Sequence, residues 1–144
     1  AERVVVLTGA GVSAESGIPT FRDALEGLWA KFNPEELASR EGFMANPRRV
    51  WEWYESRREK VRQCQPNQGH YALAELEKSK NMVIATQNVD QLHHRAGSQN
   101  VLELHGNILA NRCFAEGNLL KDEDLDWTTI PPKCRCGCLT AASG

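Results

Sequence analysis

No stretch of this 144-residue chain approaches the ~20 consecutive apolar residues that a membrane-spanning helix requires. A helical membrane span is therefore excluded, and no membrane partner is expected. Charge of one sign is also lacking: the formal net charge is −2, too small for a global attraction to nucleic acid or to an anionic membrane surface. Direct nucleic-acid binding is not expected. Internal repeats and low-complexity segments are absent, which argues against solenoids and flexible linkers. No basic start followed by an apolar core marks a secretory signal, since Ala1 leads almost directly into a strand-like run. The expected location is cytoplasmic, with an upstream segment the place for any organelle address. What remains is 41% hydrophobic and 25% charged, the make-up of one modest globular domain.

Residues 3–8 read as a strand, and Val4-Val5-Val6-Leu7-Thr8 has the look of a buried one. Residues 81–86 and 101–104 read as two more. Between them lie a helix start at 13–16, a loop over 27–33, a short helix over 34–39 and helices over 46–63 and 66–78. Asn46 and Pro47 suit the N-cap and first position of the longer helix. Strands separated by helix-length connections argue for a parallel sheet with crossover helices. Ligands of open α/β sheets bind at the carboxyl ends of the strands, and Thr8, Thr86 and His105 all fall there.

Chemistry-bearing residues collect at those ends. Gly9, Gly11 and Ala14 fit G-x-G-x-x-A, which allows a tight turn and close approach of a phosphate to the backbone; an ordinary strand–helix turn fits equally well. Pro19 and the absence of an acid ending a second strand weigh against a hydride-transfer enzyme. Gln87, Asn88 and Asp90 could hydrogen-bond ribose hydroxyls and a carboxamide, or form an Asx-type turn. His105, followed by Gly106, could move a proton near neutral pH or be structural. His93 and His94 start a helix as structural or exposed residues, and His70, at another helix start, is expected on the surface. On helix 46–63, Val50, Trp53, Tyr54, Arg57 and Val61 share a face. Tyr54 and Arg57 could receive a carboxylate, or Tyr54 could be core with Arg57 snorkelling past it. Of five cysteines, Cys64 stands alone as an incidental thiol. Cys113, Cys134, Cys136 and Cys138 suggest metal before disulfide, with no metal as the alternative.

The run Gly9-Ala10-Gly11-Val12-Ser13-Ala14-Glu15-Ser16-Gly17-Ile18-Pro19-Thr20-Phe21-Arg22 resembles the opening motif of the sirtuins, NAD-dependent protein-lysine deacylases. Thr86-Gln87-Asn88-Val89-Asp90, Leu92-His93, Arg95-Ala96-Gly97 and Leu104-His105-Gly106 continue the resemblance in order, as far as about Cys113. It implies an α/β fold: a Rossmann-like parallel sheet over residues 1–33 and 66–112, a helical insertion at 34–65, and a zinc module at 113–144. It implies NAD and Zn2+ as cofactors and acylated-lysine proteins or peptides as partners. Gly9, Ala10, Gly11, Ser13, Ala14, Pro19, Phe21, Arg22, Gln87, Asn88 and Asp90 would hold the cofactor. Phe21 would shield the reactive ribose, Gln87 would meet ribose, and Asn88 and Asp90 the nicotinamide end. His105 would be the general base, with Asn88 beside it in catalysis. The Tyr54-x-x-Arg57 spacing resembles that of sirtuins that remove succinyl and malonyl groups.

Two departures stand out. Sirtuins usually carry two Cys-x-x-Cys pairs, whereas Glu116 occupies the second position here and the second pair is compressed into Cys134-Arg135-Cys136-Gly137-Cys138. Cys113 and Cys134 are the surest ligands, and Glu116 or water could replace one of the others. The second half of the nucleotide fold is also absent, so the chain reads as the N-terminal portion of a sirtuin domain. An ADP-ribosyltransferase or NAD glycohydrolase, and an inactive zinc-bearing interaction module, are the alternatives.

Overall fold

The computed structural model describes residues 2–19 and 30–143. Along the chain run β1 (Arg3–Thr8), α1 (Ala10–Ser13), a 3-10 turn (Ala14–Ser16), α2 (Pro34–Leu37), α3 (Arg40–Ala45), α4 (Pro47–Gln63), α5 (Gln68–Glu77), β2 (Asn81–Thr86), α6 (Leu92–Arg95), β3 (Val101–Glu103), β4 (Asn111–Cys113), β5 (Leu119–Leu120), a second 3-10 turn (Asp122–Asp124) and β6 (Thr140–Ala142). They divide into two compact units, Ala1–Thr20 with Lys60–Asn107, and Phe21–Glu59 with Ile108–Gly144.

The first unit is a parallel sheet of order β1-β2-β3, with Thr8 opposite Thr86 and Thr86 opposite Glu103. Met82 and Ile84 are buried in central β2, whereas Val5 and Leu7 of β1 are 74% and 67% exposed. β1 is therefore not the buried strand its Val-rich run suggests. It lies at the sheet edge, and among the described residues the outer face carrying Val5, Leu7 and Leu102 is uncovered. Asn67 caps α5 in a capping box, accepting from Gly69 N while His70 Nδ1 accepts from Asn67 N. The Asn67 side chain also donates to Val12 O (2.7 Å) and Ser16 Oγ (3.0 Å), tying the start of α5 to the glycine turn.

In the second unit, Asn33 caps α2 and Ser39 caps α3 through Glu35 N and Gly42 N. Asn46 caps α4, accepting from Arg49 N at 3.1 Å. α3 crosses so close to α2 that a Cβ on Gly42 would fall on the Glu36 carbonyl. β5, β4 and β6 form an antiparallel sheet in that order. Its core is aromatic: Phe43, Trp51 and Trp53 are buried, and the Phe43 and Phe114 rings stack at 4.3 Å. Arg58 is only 2% exposed. Its guanidinium donates to Ile108 O, Ala110 O and Asn111 Oδ1 and pairs with Glu55. This satisfies the buried charge and joins α4 to the chain entering β4.

Candidate functional site

At the carboxyl ends of β1 and β2 the chain builds a buried polar network. Ser13 Oγ donates to Asp90 Oδ2 at 2.7 Å. Because His70 Nδ1 accepts from Asn67 N, its proton sits on Nε2, which donates to Ser13 Oγ at 3.3 Å. Asn88 Nδ2 donates to Gly9 O (2.9 Å) and to Ser13 Oγ (3.3 Å), and Asp90 Oδ1 accepts from Leu92 N at 2.9 Å. Gln91 takes a left-handed conformation, φ 64°, in the turn that aims Asp90 inward, and its side chain donates to Glu103 at 2.6 Å.

Alongside runs a second strand of the network. Thr8 Oγ1 donates to Thr86 Oγ1 at 2.8 Å, and Thr86 Oγ1 accepts from Asn88 N at 3.0 Å. The Thr8 proton being spent there, His93 Nε2 donates to Thr8 Oγ1 at 2.9 Å. His93 Nδ1 is then a buried acceptor with no hydrogen-bond partner among the described residues. The His70 and His93 rings meet edge to face at 5.0 Å. Burial lowers both pKa values below the ordinary histidine value; Asp90 opposes this at His70, while at His93 the neighbouring His70 adds to it. Both rings are accordingly neutral.

The expected residues Gly9, Ser13, Asn88 and Asp90 are thus brought together. Gln87 stands beside Gly9, its N–H donating to Thr8 O and its Oε1 3.8 Å from where a Gly9 Cβ would sit. Among the described residues, a Cβ on Gly11 would meet nothing within 4 Å, and Gly11 has no positive φ. Neither packing nor conformation demands glycine there, while the open space admits an approaching ligand. Ala10 lies in α1, Ala14 in the 3-10 turn and Pro19 just beyond. Phe21 and Arg22 lie outside the described residues. His105 is exposed on the turn after β3, held beside Thr86 by the Leu104 N to Thr86 O bond of 2.9 Å. Its imidazole makes no hydrogen bond to Asn88 or Asp90 among the described residues. His70 is not on the surface as expected but fully buried, because the capping box turns its ring inward onto Ser13. Thr8, Thr86 and His93 were not among the expected site residues, although their places at strand ends and beside Asp90 were visible.

In the second unit, Cys113, Cys134 and Cys136 offer sulfurs within 4.8 Å of one another. Cys113 Sγ lies 3.7 Å from both Cys134 Sγ and Cys136 Sγ, and the Cys134 and Cys136 sulfurs touch. Sulfurs at ~2.3 Å from a tetrahedral zinc stand about 3.8 Å apart, so the two longer separations and the thiol donor set fit that ion. Tight turns ending at Gly117 (φ 76°) and Gly137 (φ 84°) present Cys113 and Cys134. Cys138 packs against the group; desolvation and then Cys113 raise its pKa. The Glu116 carboxylate instead accepts from Asn118 at 3.1 Å.

On α4, Val50, Trp53, Tyr54 and Val61 are buried as the pattern predicts, while Arg57 is half-buried. The Arg57 guanidinium lies over the Trp53 and Tyr54 rings at 5.0 and 5.6 Å. Burial raises the Tyr54 pKa, with Arg57, Arg112 and Arg58 opposing in that order, and burial lowers that of Arg57.

The Sir2 family model matches residues 9–141. The chain is 55% identical over 140 residues to an NAD-dependent protein deacylase of Ralstonia nicotianae, covering 96% of this chain and 56% of that protein. A crystal structure of a Sir2 homologue–NAD complex superposes with a TM-score of 0.84 at 50% identity, over 98% of this chain and 56% of that one. Sir2 bound to acetylated peptide gives 0.78 at 30% identity, over 97% and 57%. The chain spans about half the length of the curated relatives it matches.

Proposed function

The chain belongs to the Sir2 family, and from that premise we propose that the protein carrying it is an NAD-dependent protein-lysine deacylase. Its products are nicotinamide, free lysine and an O-acyl-ADP-ribose. The observation that carries this reading is the junction of Ser13, Asn88 and Asp90 beside Gly9 at the carboxyl ends of parallel strands, where ligands of such sheets bind. The donor set is amide, hydroxyl and carboxylate, which suits ribose and carboxamide.

In this reading Gly9, Ala10, Gly11, Ser13, Ala14 and Pro19 form the turn against which the nucleotide lies, with Phe21 and Arg22 following. Gln87 meets ribose, and Asn88 and Asp90 orient the nicotinamide end. His105 removes a proton from a ribose hydroxyl, which turns that oxygen onto the acyl carbon. Cys113, Cys134, Cys136 and Cys138 would hold a zinc ion that braces the second unit, which requires them as thiolates, the state a reducing cytoplasm maintains. Tyr54 and Arg57 receive an acidic acyl group such as succinyl or malonyl.

The deciding measurement is nicotinamide release by the full-length protein with and without an acyl-lysine peptide. Release that requires the peptide and vanishes in His105→Ala supports deacylation. Peptide-independent release points to a glycohydrolase or transferase, and none at all to an interaction module. Arg57→Met should lower kcat/KM for a succinylated peptide by at least about tenfold, the worth of one charge-assisted hydrogen bond, and leave the acetylated peptide nearly unchanged. Zinc analysis should find one ion per chain, lost in Cys113→Ser.

A further inference from the structure

A cavity of about 440 Å3 lies within the second unit, inside the ~300–1,000 Å3 range of small-molecule sites. Its wall includes Tyr54, assigned above to the acyl group, but neither Arg57 nor any of the strand-end residues assigned to the nucleotide. Phe43, Trp51, Tyr54 and Phe114 supply aromatic walls. Phe43 and Phe114 are stacked on each other at 4.3 Å. Two cations, Arg40 and Arg112, also line the space. Arg40 stands over the Phe114 ring at 4.5 Å. Neither guanidinium has an ion pair or a side-chain hydrogen bond among the described residues. The acidic residue of the lining, Glu116, is exposed and engaged by Asn118.

Flat apolar walls beside two guanidiniums are complementary to a ring that bears a negative charge. A neutral ligand would leave both cations unmatched, and an inorganic anion would leave the aromatic surface wet. The volume is too small for a folded partner or a nucleic-acid strand. The geometry points to a second binding site here, for a small aromatic carboxylate, with Arg112 and Arg40 taking the carboxylate and the Phe43, Trp51 and Phe114 rings the aromatic body. A guanidinium–carboxylate fork gives direction as well as attraction, and an edge or offset ring contact adds to apolar burial.

Calorimetric titration of the full-length protein with 2-naphthoate, 2-naphthamide and acetate tests the assignment. Naphthoate should bind one to one, with the neutral amide and the ringless anion at least about tenfold weaker, as expected for loss of a charge-assisted pair or of the aromatic burial. Arg112→Met, an exposed change, should weaken naphthoate at least about fivefold. Ala141→Leu, which projects side chain into the lining while keeping both arginines, should weaken it comparably. Thermal melts by circular dichroism establish that each variant is folded. The assignment fails if naphthamide binds as well as naphthoate, if acetate does, if no heat is seen at millimolar naphthoate, or if a folded Arg112→Met variant binds normally.

Discussion

In the unit made of residues 1–20 and 60–107, apolar Met82, Ile84 and Leu92 are buried together with a polar group, Ser13, His70, Thr86, Asp90 and His93, whose hydrogen bonds join distant segments. In the other unit rings, thiols and one arginine dominate, Phe43, Trp51, Trp53, Cys113, Cys134 and Arg58, with Asn111 and Thr140 as the buried neutral polar side chains among the described residues. Two helical glycines differ likewise. Among the described residues, Gly11 of the first unit faces open space, while Gly42 of the second has no room for a methyl group. A polar junction with space beside it is organised around something that arrives from outside. An aromatic core with a clamped arginine is organised around itself. The difference separates residues whose chemistry awaits a ligand from residues whose chemistry is already satisfied by the fold.

The sharpest way to break this contrast is Arg58→Met. It leaves Ile108 O, Ala110 O and Asn111 Oδ1 without their donor, and should cost about 3 kcal/mol in urea denaturation. A loss below about 1 kcal/mol would make Arg58 a passenger and the second unit's core purely apolar. Gly42→Ala should cost about 2 kcal/mol, since the new methyl must displace the Glu36 carbonyl. The polar unit is probed by pH. His70 and His93 have folded-state pKa values below the unfolded 6.5, so the unfolded chain binds more protons as pH falls. Their contribution is complete above about pH 6.5 and declines as pH drops from there towards the folded-state values. The melting temperature should fall on acidification, and His70→Gln with His93→Gln should flatten the profile. Smallest is Gly11→Ala. In a helical position with open space it should raise stability by about 0.5 kcal/mol, while weakening nucleotide binding measured by titration. Destabilisation there would mean that the glycine serves the fold.

Much of the first unit was legible. β1 and β2 fall on residues 3–8 and 81–86 as read from their β-branched runs, and β3 ends one residue earlier than expected. α4 starts at Pro47 behind its Asn46 cap. Ser13, Asn88 and Asp90 were visible as a group because short motifs at strand ends carry them. The rest was hidden for physical reasons. α3 is six residues long with a glycine inside, too short for periodicity to show. β4, β5 and β6 have two or three residues each, and only long-range pairing defines them. A histidine at a helix start reads as solvent-facing, and the bond that buries His70 comes from Ser13, 57 positions away.

Arg57 and Arg58 are adjacent, yet one is sealed beneath the protein by carbonyl oxygens and the other lies against two ring faces. A single step of about 100° around the helix therefore separates anchorage from whatever its neighbour contacts. On the role proposed for Arg57, substitution at the outer of the two alters what the protein accepts without unfastening the frame. Related chains can diverge in taste while keeping the same skeleton.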